Sequence, residues 1–292
     1  MSVSTFAIAL LIGCSIAFSF SDLFRKLLAS WVTPLPLLFA LSAGMVPVFA
    51  GWYWFEGAAA PEASYWIPGL GSTILNVASN LALLEAVRRS PLSLTIPLLS
   101  LTPVFTSILA IPVLGEVPGP RQWVGIATVV AGAFWMNLDL GELSLRNAWR
   151  TFSSEPGSRL AVVVALLWSL AMPLDKIAVL SSSPAFHGLI LSSGVGVAVV
   201  LLAWLRGSLG RFRELLIRPG LVLAGLGVSI LAIALQLVAI AIVWVGLVET
   251  MKRGIGSLLS QVWGRLVFNE RLEPQRLLGV LAMAVGVALI LL

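Results

Sequence analysis

Charge is what this sequence has least of. Only 18 residues are Lys or Arg and 13 are Asp or Glu, 11% of 292, against roughly 25% in an average soluble domain. A water-facing surface on so long a chain needs more ionic groups, so a soluble fold is excluded. Sulfur and imidazole are scarcer still, with one cysteine, Cys14, and one histidine, His187. A lone cysteine closes no internal disulfide, and the pair leaves no Cys or His set for a metal. No Gly-x(4)-Gly-Lys-Ser/Thr loop occurs, so ATP is not the direct energy source. No cofactor is expected.

What is abundant is apolar side chain, 59% of the total, with a mean hydropathy of +1.02. A membrane-crossing helix needs about 20 such residues at 1.5 Å rise each. Cutting the chain where charges, Pro and Gly interrupt the apolar runs predicts ten helices. The first five are Val3 to Phe24, Thr33 to Phe55, Tyr65 to Val87, Leu92 to Leu114 and Gln122 to Leu138. A polar connector runs from Asp139 to Arg159, and then come Leu160 to Val179, Ala185 to Leu205, Gly220 to Ala241, Leu247 to Phe268 and Gln275 to Leu291. The runs are continuously apolar, which favours helices over the alternating strands of a barrel. The first run lacks a basic leader and is followed by Asp22, Arg25 and Lys26, so it is expected to be a helix and not a signal peptide.

The two halves echo each other. Lys26 and Lys176 are 150 positions apart, each followed by a proline eight residues on, Pro34 and Pro184, and Phe18-Ser19 aligns with Trp168-Ser169. At an offset of 154, Gly115-Glu116 meets Asn269-Glu270, and Pro120, Gly125 and Gly132 meet Pro274, Gly279 and Gly286. Five helices per half is an odd number, so the second half must enter the membrane in the opposite sense. The expected fold is all-α integral membrane, ten transmembrane helices as two inverted five-helix repeats, residues 1–140 and 160–292, joined by a connector at 141–159.

The doubled Glu-x(3)-Pro-x(4)-Gly-x(6)-Gly pattern, Glu116 to Gly132 and Glu270 to Gly286, resembles the tandem domains of the ten-helix EamA-like branch of the drug/metabolite transporter superfamily. The likeness covers nearly the whole chain. It is strongest from Lys252 to Leu292, where Lys-Arg, Gly264, Phe268, Glu270 and Arg276-Leu-Leu-Gly279 follow in that order. The resemblance implies an exporter or permease for amino acids, other metabolites or drugs, with helices 1, 3, 4, 6, 8 and 9 around a central cavity.

Basic residues favour the cytoplasmic side of a membrane. Sorted by alternate connections, Arg25, Lys26, Arg88, Arg89, Arg146, Arg150, Arg159, Arg206, Arg211, Arg213, Arg218, Arg271 and Arg276 fall on one side, and Arg121 and Lys176 on the other. This places both termini outside, whereas some members of the family resembled have both inside. The net charge of +5 and the isoelectric point near 10.1 therefore reflect orientation, and no nucleic-acid partner is expected.

Ionisable groups within apolar spans tend to face a cavity or a partner. Glu249, Lys252 and Arg253, spaced three and four apart, share one helical face. They are either a partly self-neutralised cluster on the substrate path or a solvated connection before helix 9. Asp22 and Lys26 close helix 1, and Asp175 and Lys176 close helix 6. These are snorkelling end charges or gating and proton-coupling groups. Glu85, beside Arg88 and Arg89, is an ion pair at a helix end or a gate. Glu116 and Glu270 are expected to cap the N-terminus of the helix that follows each.

Asn76 and Asn80 on helix 3, Gln236 on helix 8 and Gln261 on helix 9 are candidate path residues or ties between helices. Trp168 walls the path or packs in the core. Pro97, Pro103 and Pro112 bend helix 4, as hinges or as static kinks. His187 is expected to be interfacial, and the paired glycines to allow close helix packing.

The reading that accounts for these features is a secondary transporter of a small organic solute in the cytoplasmic membrane, monomeric or homodimeric, with substrate and lipid as its partners. A flippase for a lipid-linked intermediate is the nearest alternative. An intramembrane enzyme lacks a nucleophile-base pair, and a non-transporting scaffold lacks partner-binding loops.

Overall fold

The computed structural model describes residues 4–89, 98–137, 156–269 and 274–291. Among them there are helices and no strand. In chain order they are α1 (Thr5–Leu28), α2 (Pro34–Ala43), α3 (Val46–Phe55), α4 (Trp66–Arg89), α5 (Thr102–Leu114), α6 (Pro120–Asn137), α7 (Pro156–Leu180), α8 (Pro184–Leu205), α9 (Pro219–Ile242), α10 (Val245–Phe268) and α11 (Pro274–Leu291). Short 3₁₀ turns occupy Ala63–Tyr65 and Leu209–Leu216.

The ends follow local chemistry. Ser4 accepts the Ala7 N–H and Ser183 accepts the Phe186 N–H, each satisfying an orphan donor of a first turn. Proline opens α2, α8 and α9, where its missing N–H costs nothing. Gly115 and Asn269 close α5 and α10 in the left-handed conformation, at φ 69° and 53°.

Two predicted helices are interrupted. The run from Thr33 to Phe55 breaks at Gly44 and Met45, because Pro47 has no N–H to give the Ala43 carbonyl. The predicted helix from Leu92 to Leu114 is helical at Leu98 and Leu99, turns at Ser100 and Leu101, and resumes at Thr102. Pro103 is the cause, and Thr102 Oγ1 donates to the Leu99 carbonyl that the proline leaves without an amide. Pro112 lies inside α5, and Pro97 lies outside the described residues. Helix α7 begins at Pro156, four residues before the expected Leu160.

Among the described residues, five stretches are long and apolar enough to cross a membrane: α1, α2 with α3, α7, α8 and α9. The α4 and α10 helices have the length, 24 residues each. They also carry Asn76, Asn80 and Glu85, and Glu249, Lys252, Arg253 and Arg265, respectively.

The chain divides into two compact units, and each takes helices from both halves of the sequence. One is drawn from Ala78–Pro173 and Trp244–Leu292, the other from Ser4–Val77 and Leu174–Val243.

In the first unit α6 packs along α11, and α5 against α10. Val129, Ala133 and Met283 form the buried seam, with Val287 against it. The α6–α11 contact is backbone against backbone: a Cβ on Gly125 would stand 2.7 Å from the Gly286 carbonyl oxygen, and one on Gly132 2.7 Å from that of Gly279. In the second unit α1 runs antiparallel to α9, with Ser21 and Ser229 hydroxyls 2.6 Å apart and Cys14 beside the Ala232 carbonyl. There α8 packs on α2 and α3, Gly188 lying under the Phe49 ring.

Candidate functional site

Glu249, Lys252 and Arg253 belong to α10, four to eight residues after its first residue, Val245, so the solvated-connection reading is overturned. The Glu249 side chain is 2% exposed, and both its oxygens are engaged. Oε2 lies 2.7 Å from Lys252 Nζ and Oε1 3.0 Å from Arg253 Nε. A buried carboxylate is tolerated only when paired and hydrogen-bonded, and the i,i+3 and i,i+4 spacings supply both partners from the same helix. The group carries a net +1. The Lys252 and Arg253 side chains are 15% and 28% exposed, so the cations, not the carboxylate, reach the open side.

Around it, two contacts fix the entry to α10. Glu116 Oε2 accepts the Val245 N–H at 2.8 Å, capping α10 across a loop of the same unit. Glu116 was expected to cap the following helix, α6. That role falls to Gln122, whose Oε1 accepts the Gly119 N–H at 2.7 Å. Glu116 reaches α10 because Gly115 turns left-handed and directs the chain away from the α5 axis. Gly246 sits against the Ser107 hydroxyl and the Trp244 ring, leaving no room for a Cβ. On α5, Thr106 Oγ1 is buried without a hydrogen-bond partner, a polar atom that the sequence did not single out.

The other candidates in this unit fall into structural places. Trp168 packs on the buried cluster of Leu99, Ala161, Val164 and Ala165, while Ser169 donates to the Ala165 and Thr102 carbonyls. Glu85 pairs with Arg89 at 2.6 Å, the helix-end ion pair; the Arg88 side chain lies outside the described residues. Asn80 and Gln261 are half-buried on α4 and α10. Glu270 lies outside the described residues.

The second unit holds a cluster that sequence reasoning only half found. Asp175 does not snorkel, because α7 continues to Leu180 and the side chain is 4% exposed. Its Oδ1 lies 2.9 Å from Nε2 of His187, and Nδ1 of that ring lies 3.2 Å from the Tyr65 hydroxyl. His187 is fully buried, so the expectation of an interfacial position is corrected.

A signal for the pair was present: the short Ser181–Ser183 turn folds α8 back on α7, which brings together residues a few positions before and after it. No signal pointed to Tyr65, 122 positions away. Lys176 Nζ donates to the Val243 carbonyl, which ends α9, at 2.8 Å. Gln236 is buried on α9, and Asn76 Nδ2 donates to the Ser72 carbonyl. Asp22 and Arg25 form an exposed pair at 3.5 Å near the end of α1, with Lys26 beside them.

Apolar helices of spanning length and polar groups gathered inside helices define a multi-pass integral membrane protein. Residues 5–138 match the model of the EamA-like transporter family. Members of that family are membrane transporters of the drug/metabolite type. No curated protein matches the chain. A solved structure described only as "Crystal structure of protein" is 15% identical, with a TM-score of 0.76 over 98% of this chain and 96% of that one. The likeness shows a shared fold over almost the full length.

Proposed function

We propose that this protein is a secondary transporter moving a small organic solute across the cytoplasmic membrane by alternating access. In this reading ten spans form two inverted repeats, residues 1–140 and 160–292, linked through 141–159, with both termini outside. The interrupted stretches at Gly44–Met45 and Ser100–Leu101 count as parts of single spans. The glycine register supports the inversion. Gly125 corresponds to Gly279 and Gly132 to Gly286 in sequence, while Gly125 meets Gly286 and Gly132 meets Gly279 in space. That crossed pairing is what two equivalent helices related by a two-fold axis produce.

The observation that carries the function is the Glu249–Lys252–Arg253 group. Two cations around one buried carboxylate serve no folding need that an apolar face would not meet. Their exposed ends offer a polar contact to a solute, Lys252 and Arg253 meeting an anionic group. The test is reconstitution into proteoliposomes and uptake of labelled amino acids and organic acids, with and without a pH gradient. Lys252→Ala and Arg253→Ala are expected to cut uptake while leaving folded protein in the membrane. Unchanged uptake in both variants removes the group from the path.

A further inference from the structure

The second unit contains a chain of three titratable side chains to which the ion group on α10 assigns no role. Asp175 on α7, His187 on α8 and Tyr65, just before α4, are joined by contacts of 2.9 and 3.2 Å. All three residues are buried, the tyrosine and the histidine completely. A carboxylate only accepts, so Nε2 carries the proton it shares with Asp175. In the neutral ring Nδ1 is then an acceptor, and the Tyr65 hydroxyl donates to it.

Counted this way, the chain holds one net negative charge. The titratable groups packed around it are committed elsewhere or have contacts of their own. Lys176, next to Asp175, donates to the Val243 carbonyl. The Tyr53 hydroxyl of α3 donates to the Ala59 carbonyl, and the Glu62 carboxylate accepts from Ser64. Helices α2 and α9 contain no titratable side chain, and α8 contains none besides His187.

A single negative charge in a buried polar chain is costly, and one added proton cancels it. Taken up from water, that proton bonds to Nδ1, which becomes a donor. The Tyr65 oxygen then accepts, and its own hydrogen must turn to another acceptor. Protonation therefore reverses one hydrogen bond at the place where α7, α8 and the start of α4 meet.

We propose that Asp175, His187 and Tyr65 form a proton-binding site whose occupancy couples a pH gradient to solute movement. The coupling rests on the transport reading above, whereas the proton site does not. Because His187 is the chain's one histidine, ¹⁵N-histidine labelling of the full-length protein in nanodiscs reports a single imidazole without assignment. The expected result is a reversible protonation of that imidazole across the pH range in which the protein stays folded, displaced in both Tyr65→Phe and Asp175→Asn.

A flat imidazole signal over that range, or a midpoint that neither variant moves, overturns the site. Should Asp175→Asn fail to fold, Tyr65→Phe alone decides, since it removes only a hydroxyl. In proteoliposomes carrying the labelled amino-acid and organic-acid mixture, Tyr65→Phe should lose the several-fold stimulation by a pH gradient. Equal stimulation in wild type and variant overturns the coupling. Absence of all flux overturns the transport reading and the coupling with it, while the imidazole titration still judges the proton site.

Discussion

Gly125 and Gly286 face each other reciprocally, the Cα of each lying against the carbonyl oxygen of the other. A Cβ on either would come within 2.7 Å of that oxygen. Two backbones approach this closely only where neither carries a side chain.

The first prediction concerns this contact. Gly125→Ala and Gly286→Ala each force α6 from α11 and should cost about 1–3 kcal/mol, the range for overpacking. Gly51→Ala, on α3 with open space around it, should cost little by comparison. Thermal denaturation followed by size-exclusion in detergent distinguishes them, and equal behaviour of all three would remove the contact as a determinant of packing.

The ion group on α10 makes a second. Glu249→Gln leaves Lys252 and Arg253 repelling each other beside a neutral amide, costing at most about 3–5 kcal/mol, and less in proportion to their partial exposure. Adding Lys252→Met and Arg253→Met to Glu249→Gln in one triple variant removes the repulsion and should restore stability without restoring uptake. Stability and uptake recovering together would reduce the group to a structural one.

A third concerns acid. Glu214, in the 3₁₀ turn between α8 and α9, accepts both the N–H and the hydroxyl of Thr33, which begins α2, at 2.7 Å each. The Thr33 N–H chiefly, then the Thr33 hydroxyl and Arg211, hold its carboxyl below the usual glutamate range against partial burial. The unfolded chain therefore binds more protons than the folded one between the two pKa values, and stability rises with pH there. The contribution is complete above the ordinary glutamate range and disappears as pH falls through the depressed folded value. Denaturation midpoints along the acid limb should flatten in Glu214→Gln; an unchanged slope would assign that limb to other carboxylates.

The fourth is orientation. C-terminal fusions to reporters active on only one side of the membrane should read outside, as the bias of the basic residues demands. An inside reading would reverse every connection.

Much of the fold was legible because it rests on one-dimensional rules. Helix ends fell within a few residues of expectation where proline, serine and glycine mark them, as at Ser183-Pro184 and Gly115. The break at Ser100–Leu101 falls at Pro103, where a bend is expected, whereas the one at Gly44–Met45 has no such expectation, since hydropathy counts apolar residues and takes no account of a missing amide in the ladder. The shared face of Glu249, Lys252 and Arg253 was legible too, because i,i+3 and i,i+4 spacing is local geometry.

By itself, then, the sequence determined that the chain is helical and apolar, and that a few charges stand in unfavourable places. Tertiary structure alone decided which of those charges meet groups on other elements. Glu116 caps α10 and not α6, Asp175 turns inward to His187, and Tyr65 joins them from 122 positions away. Burial of a polar group is stabilised only by a partner at hydrogen-bond distance. The choice of partner depends on which helices pack together, and spacing along one helix carries no record of that.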